Sequence, residues 1–179
     1  MAVKSRPQVE QETELAISRV ADTVGCMSGA LDELNELNQK LREIVEEYGA
    51  VAEYIDELAI PVPSLRKTLI SFRGRELSDR KSVQMRTFRA VIARFDSLRR
   101  LYDDSTELMD QAVDEALEAA NIPEGHKVRW RTRRLEVYRR CIEVGERVGA
   151  EVEEWMNIGR ALDDAALALA DLIRACDQS

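Results

Sequence analysis

The chain has 179 residues, enough to bury a substantial core, and one domain is the default for this length. Its composition is 45% hydrophobic, 5% aromatic and 34% charged, with only four prolines and eight glycines, which favours long helices over turn-rich sheets. The net charge of −8 argues against a general nucleic-acid binder, because neutralising phosphates requires a net basic face.

The cysteines and the lengths of the apolar runs indicate the cellular compartment. Cys26, Cys141 and Cys176 have no spacing typical of metal ligands and are odd in number, so neither a disulfide framework nor a structural zinc site is expected. No stretch approaches the ~20 apolar residues of a membrane span, and residues 1–9 contain no apolar signal segment. We therefore expect a soluble, cytoplasmic protein.

The first long helix is predicted over about 9–59, after a disordered N-terminus at residues 1–8. Apolar residues recur there at alternating spacings of three and four, and the apolar arc is wide enough to contact two neighbouring helices. Asn38 lies on this arc, at a position where a buried amide can fix register or oligomeric state or be satisfied by another helix of the same chain.

Pro61 and Pro63 end this helix, because proline cannot donate a helical hydrogen bond. Ser64 then predicts the cap of a short helix over 65–73, with Gly74 as its C′ residue. A second long helix is expected over 79–121.

The third long helix is predicted over 127–176, after a turn at residues 122–125. Its inward series is predicted to include Leu135 and Ile142. Trp130 shares another face with Val137 and Val144, and packing of the tryptophan on that face is one explanation for its presence here.

Charge alternates in blocks along the chain. Residues 8–59 carry 13 acids and 3 bases, whereas 64–100 carry 3 acids and 11 bases. Residues 101–125 carry 8 acids and no base, and 126–147 carry 3 acids and 8 bases. Reversals at the two turns bring opposite blocks together, so that Glu47 faces Arg89, and Asp114 faces Arg133 and Arg134.

The predicted fold is therefore all-α: an elongated, antiparallel, up-down-up, coiled-coil-like bundle of three long helices, with one short helix in the first connection. Residues 9–177 are expected to form a single helical domain.

Two basic clusters are candidate binding surfaces. The first could bind phosphate, anionic lipid or an acidic protein, whereas the second combines tryptophan with arginine, a composition suited to stacking on nucleic-acid bases or to a membrane interface. Internal pairing with nearby acids is the alternative explanation for both clusters. The first comprises Arg66, Lys67, Arg73, Arg75, Arg80 and Lys81, and the second comprises Trp130, Arg131, Arg133 and Arg134.

No catalytic constellation is present in the sequence. His126 is the only histidine and lies in a turn, and the chain has neither a glycine-rich phosphate loop nor a nucleophile elbow. We expect no enzyme activity, no cofactor and no metal. The leading hypothesis is a non-enzymatic cytoplasmic scaffold or adaptor that binds a protein partner of unknown identity as a homodimer. The alternative is a peripheral module that binds anionic membranes through residues 66–81 or 127–140. A nucleic-acid contact through Trp130 and its arginines is a third hypothesis, which the acidic net charge disfavours.

Overall fold

A computed structural model describes residues 5–178, and nearly all of them are helical. Three long helices follow one another: α1 is Arg6–Glu57, α2 is Pro63–Glu118 and α3 is Glu124–Asp177. No strand occurs within residues 5–178. The all-α prediction is confirmed, and the packing between the helices is consistent with a bundle.

The start of α1 lies earlier than predicted, at Arg6 instead of residue 9. The backbone N–H of Ser5 donates to Oε1 of Gln8 at 2.9 Å, as in a capping box. Pro7 is tolerated because the first N–H groups of a helix have no helical acceptor. Residues 6–8, within the segment predicted to be disordered, belong to α1, and residues 1–4 lie outside the described residues.

The first connection is short, because α1 ends at Glu57 and α2 begins at Pro63. Ala59 has a φ of 45°, and this left-handed conformation stops the helix. Proline suits the first position of the next helix, where its fixed φ is already helical and its missing N–H is not needed.

The short helix predicted over 65–73 is not separate, because α2 runs continuously through this region. Gly74 was predicted to be its C′ residue, a position that commonly takes a left-handed conformation, but no glycine among the described residues has a positive φ. A Cβ placed on Gly74 would lie 2.7 Å from Cδ2 of Leu169. The glycine thus permits close packing against α3, and the predicted break was wrong for that reason.

The second connection shifts two further bounds. α2 ends at Glu118 rather than residue 121, and α3 begins at Glu124 rather than residue 127. The amide of His126 donates to the carbonyl of Pro123 at 3.0 Å, so the first turn of α3 forms directly after this proline. The end of α3, at Asp177, is one residue beyond the prediction.

Contacts divide the chain into two compact units, each built from one segment of every helix. The first unit comprises the described residues up to Asp32 together with Ile92–Val148. The second unit comprises Glu33–Val91 together with the described residues from Gly149 onward. The single domain expected over 9–177 stays a prediction.

The core of the first unit surrounds Trp130, whose side chain is fully buried. Each large apolar side chain in such a core contributes roughly 1.5–3 kcal/mol, against about 0–1 kcal/mol for an exposed ion pair. Apolar burial therefore holds this unit together. The buried members are Ile17, Val20, Val24, Met109, Val113, Ala116, Ile122, Trp130 and Val137.

The core of the second unit includes an aromatic stack. The rings of Phe88 and Trp155 are nearly parallel, at 4°, with centroids 4.9 Å apart, and the guanidinium of Arg89 lies 6.0 Å from the Trp155 centroid. Stacked rings add to the stabilisation that burial provides. The buried cluster comprises Leu41, Ile44, Tyr48, Val51, Ile55, Ile70, Leu77, Ile158, Leu162 and Leu169.

The ion pairs of the second unit have a different register from the one predicted. Glu47 pairs with Arg73 at 2.6 Å and with Arg80 at 2.7 Å, not with Arg89. Because α2 starts at Pro63 and is continuous, the connection contains no separate short helix and turn. The α2 residues that face Glu47 consequently come earlier in the chain than expected.

Candidate interaction surfaces

The basic cluster of residues 66–81 lies in the second unit, and most of its charges are paired within the chain. Arg75 is the exception, because among the described residues its Nε donates to the carbonyl of Ser71, at 3.4 Å, and to no acid. With five of the six bases paired to acids, the cluster has little free charge to offer phosphate or anionic lipid. The pairs are Arg66 with Asp56, Lys67 with Asp177, Arg73 with Glu47 and Glu76, Arg80 with Glu47, and Lys81 with Asp163.

The cluster around Trp130 lies in the first unit and is organised by the carboxylate of Glu14. Nε1 of Trp130 donates to Oε1 of Glu14 at 2.9 Å. Arg129 and Arg133 form ion pairs with the same carboxylate. The tryptophan is therefore packed in the core and not available for stacking on a base. Arg134 pairs with Asp114 at 2.8 Å, as predicted, but Arg133, which was predicted to face Asp114 as well, pairs with Glu14 instead. Arg131 pairs with Glu124 at 3.3 Å.

These contacts alter the acidity of Glu14. Burial raises its pKa, but hydrogen bonds from Trp130 and Arg133 and the charges of Arg133 and Arg129 outweigh burial and hold the pKa below its usual value. In the second unit, the hydrogen bond from Arg80 lowers the pKa of Glu47 in the same way. Both carboxylates favour the folded state when they are ionised.

We expect stability to fall as the pH drops below about 4.5, the ordinary glutamate value. A carboxyl group whose pKa is lower in the folded state stabilises the fold above the unfolded pKa, and that contribution is lost as the pH falls through the folded pKa. Denaturant unfolding between about pH 7 and pH 3 measures this dependence. Glu14→Gln should show a shallower fall than the wild type, whereas Glu136→Gln, at an exposed site on α3, should follow the wild type. Identical slopes for Glu14→Gln and the wild type would contradict the assignment.

Asn38 lies in the second unit and is 1% exposed. Its Nδ2 donates to both the main-chain carbonyl and Oε2 of Glu151, each at 2.8 Å. Its Oδ1 is buried and has no hydrogen-bond partner among the described residues. The amide therefore connects α1 to α3 within one chain while one of its polar atoms remains unsatisfied.

His126 lies beside an acid and an aromatic ring. Nδ1 of His126 lies 3.1 Å from Oε1 of Glu10, and its ring meets Trp130 edge to face with centroids 5.7 Å apart. Between residues 5 and 178, no three His, Cys, Asp or Glu side chains are placed to hold a metal ion. None of the described helices has an apolar stretch sufficient to cross a bilayer.

An exposed apolar stripe on α3 of the first unit contradicts the predicted helix phase. Leu135 and Ile142 were predicted to face inward, but they are 66% and 63% exposed. Val128, one heptad earlier, is exposed as well. Trp130, Val137 and Val144 occupy the buried face instead. We call Val128, Leu135 and Ile142 the α3 stripe.

An apolar groove between α1 and α2 in the second unit was also missed by the sequence analysis. It has a volume of about 570 Å³. Tyr54 and Phe72, on its two sides, are 60% and 65% exposed. The remaining lining residues are Glu47, Ala50, Val51, Ile55, Leu69, Arg73 and Glu76. A signal was present in the sequence, since neither aromatic belongs to the apolar series that predicted the core.

Comparison with models of known families, with curated proteins and with solved structures finds no match to this chain.

Proposed function

We propose that the chain is a non-enzymatic cytoplasmic scaffold or adaptor that mediates protein–protein interaction and acts as a homodimer. The observation that carries this proposal is the α3 stripe. Three large apolar side chains at heptad spacing face solvent on the side of α3 opposite its buried face, and such a row is typical of a surface covered by another helix. Three free thiols support the cytoplasmic location.

We also propose that the helices follow an antiparallel, up-down-up order. In the second unit, Tyr48 contacts Gly74, and Asp56 contacts Arg66, so α2 residue numbers fall as α1 numbers rise. This order supports an adaptor because rigid helices then present fixed faces to a partner. The membrane-binding alternative gains no support from the basic cluster at residues 66–81, whose charges are mostly paired.

Charge complementarity favours a second copy as the occupant of the α3 stripe. If two copies of α3 cross antiparallel so that Leu135 of one contacts Ile142 of the other, Arg131 meets Glu146 of the other copy, since each lies four residues beyond the apolar pair. Both charges are exposed; Arg131 also pairs with Glu124 of its own chain at 3.3 Å, whereas Glu146 has no ion-pair partner among the described residues. A two-fold axis makes this contact twice.

We predict that the wild type sediments as a dimer at micromolar concentration and that Leu135→Glu sediments as a monomer. A charge at the centre of an apolar seam cannot be hydrated when it is covered, so the dissociation constant should rise by about 100-fold or more. Analytical ultracentrifugation across a concentration series measures this. Leu15→Glu, at an exposed apolar site on α1 of the same unit, is the control and should remain dimeric.

A charge exchange tests the register of this contact. Arg131→Glu should weaken the dimer by about 3- to 10-fold, because each exposed charge pair contributes up to about 1 kcal/mol and two are lost. Combining it with Glu146→Arg should restore the affinity. A monomeric wild type at high micromolar concentration would refute the dimer, and failure of the double variant to recover would refute the register.

A further inference from the structure

The apolar groove of the second unit fits a helix better than a small molecule. It is open and lies between α1 and α2. Apolar side chains from Val51, Ile55 and Leu69 form its base, and the rings of Tyr54 and Phe72 form its sides. An amphipathic helix laid in such a groove buries its apolar face against both walls. Two mostly exposed aromatic rings are the side chains that such an interface would use as anchors.

The charges next to the groove indicate the chemistry of the partner. Glu43 and Glu57 lie seven residues before and after Ala50, so they share its stripe on α1, and Asp79 lies seven residues after Phe72 on α2. All three acids are exposed and form no ion pair among the described residues. They leave the rim with an excess of negative charge.

Inside the groove the charges are already neutralised. Glu47 and Glu76 line it, but Arg73 pairs with both and Arg80 pairs with Glu47. Arg75, three residues after Phe72, and Lys40, three residues before Glu43, are the nearby bases that form no ion pair within the described chain. A helix that enters the groove therefore meets an apolar floor and a rim on which unpaired acids outnumber unpaired bases.

We propose that the apolar groove binds an amphipathic helix of a partner protein whose apolar stripe is flanked by Lys or Arg. Complementary charge speeds encounter and selects the correct partner, while the apolar contacts supply most of the affinity. This inference names the partner of the proposed adaptor and so rests on that function, but it does not depend on self-association through the α3 stripe.

Two labelled peptides test the charge preference. Each is an amphipathic helix of about 18 residues, long enough to cross the groove, with the same leucine stripe and with either lysine or glutamate flanks. Fluorescence anisotropy with the full chain at about 20 mM salt should show at least about tenfold tighter binding of the lysine peptide, and the difference should shrink at about 500 mM salt. The preference should reverse in the double variant Glu43→Lys with Glu57→Lys.

Groove variants test the site. Phe72→Ser should weaken the lysine peptide by at least about tenfold, because a large apolar contact is lost. Leu167→Ser, at an α3 position in the same unit that is 62% exposed and outside the groove lining, is the matched control and should change binding by less than about twofold. Circular dichroism verifies that both variants keep the wild-type helix content.

Each adverse outcome has a definite meaning. Equal affinity of the two peptides at low salt would overturn the basic partner, and unchanged binding by Phe72→Ser would overturn the groove as the site. Absence of saturable binding of either peptide would overturn the proposal as a whole. Leu135→Glu should bind the lysine peptide like the wild type, so that failure of the homodimer and failure of the groove are separated.

Discussion

Trp130→Ala is expected to reduce the free energy of unfolding by about 3–5 kcal/mol, the largest effect of any single apolar truncation in the first unit. The indole is fully buried and is the largest of the completely buried side chains. Its removal leaves a cavity among residues from all three helices, since the surrounding core relaxes only in part. It also takes the Nε1 donor away from Glu14.

Denaturant unfolding followed by circular dichroism measures this loss. Leu108→Ala is a suitable control, because Leu108 lies on α2 of the same unit and is 60% exposed. Its effect should stay within about 0.5 kcal/mol. A loss below about 1 kcal/mol for Trp130→Ala would show that the tryptophan does not occupy the core.

Asn38→Asp is expected to destabilise the protein by about 3–5 kcal/mol at neutral pH, although the two side chains have nearly the same shape. The substitution replaces the Nδ2 donor with a second carboxylate oxygen next to Oε2 of Glu151. It buries a charge that has no partner at a site where the wild-type side chain is 1% exposed. Protonation at about pH 5 should recover part of the loss, because a buried carboxyl group with an acidic neighbour has a raised pKa.

Asn38→Leu should behave in the opposite way. Leucine removes the unsatisfied Oδ1 and sacrifices two hydrogen bonds, so its stability should lie within about 1 kcal/mol of the wild type, on the stabilising side. Equal losses for Asn38→Asp and Asn38→Leu, measured by the same unfolding experiment, would mean that the amide donor itself holds α1 against α3.

The helical part of the fold was predictable because its signals are local. Long proline-free stretches rich in Ala, Leu, Glu and Arg predict helices, and the prolines at 61, 63 and 123 mark where the chain turns. Ser5 and Gln8 form a capping pair with the usual sequence spacing, and this local signal places the start of α1 three residues before the predicted one.

The predictions that were wrong depend on contacts between residues distant in sequence. Gly74 looks like a helix end when only its neighbours are considered, and only Leu169, on another helix, explains why a glycine stands there. The phase of α3 failed for the same reason. Leu135 with Ile142, and Val137 with Val144, are equally good heptad pairs in the sequence. The Glu14 partner of Trp130 favours burial of the second pair, and this contact cannot be read from α3 alone.

The candidate sites were also predictable only where their signal is local. The basic residues were found because charge is visible in a sequence, but their pairing depends on the register of α2, which the misplaced short helix had shifted. The apolar groove was not found because Tyr54 and Phe72 lie outside the regular stripes. Large side chains that depart from a stripe are therefore worth testing as surface anchors in long helical chains.

The two tryptophans of the chain are distributed one to each compact unit, Trp130 in the first and Trp155 in the second. The fluorescence of each tryptophan therefore reports on the folding of its own compact unit. Replacing either one with phenylalanine leaves a single tryptophan. The melting curves of the two variants, followed by tryptophan fluorescence, show whether the two units lose their structure together or in sequence.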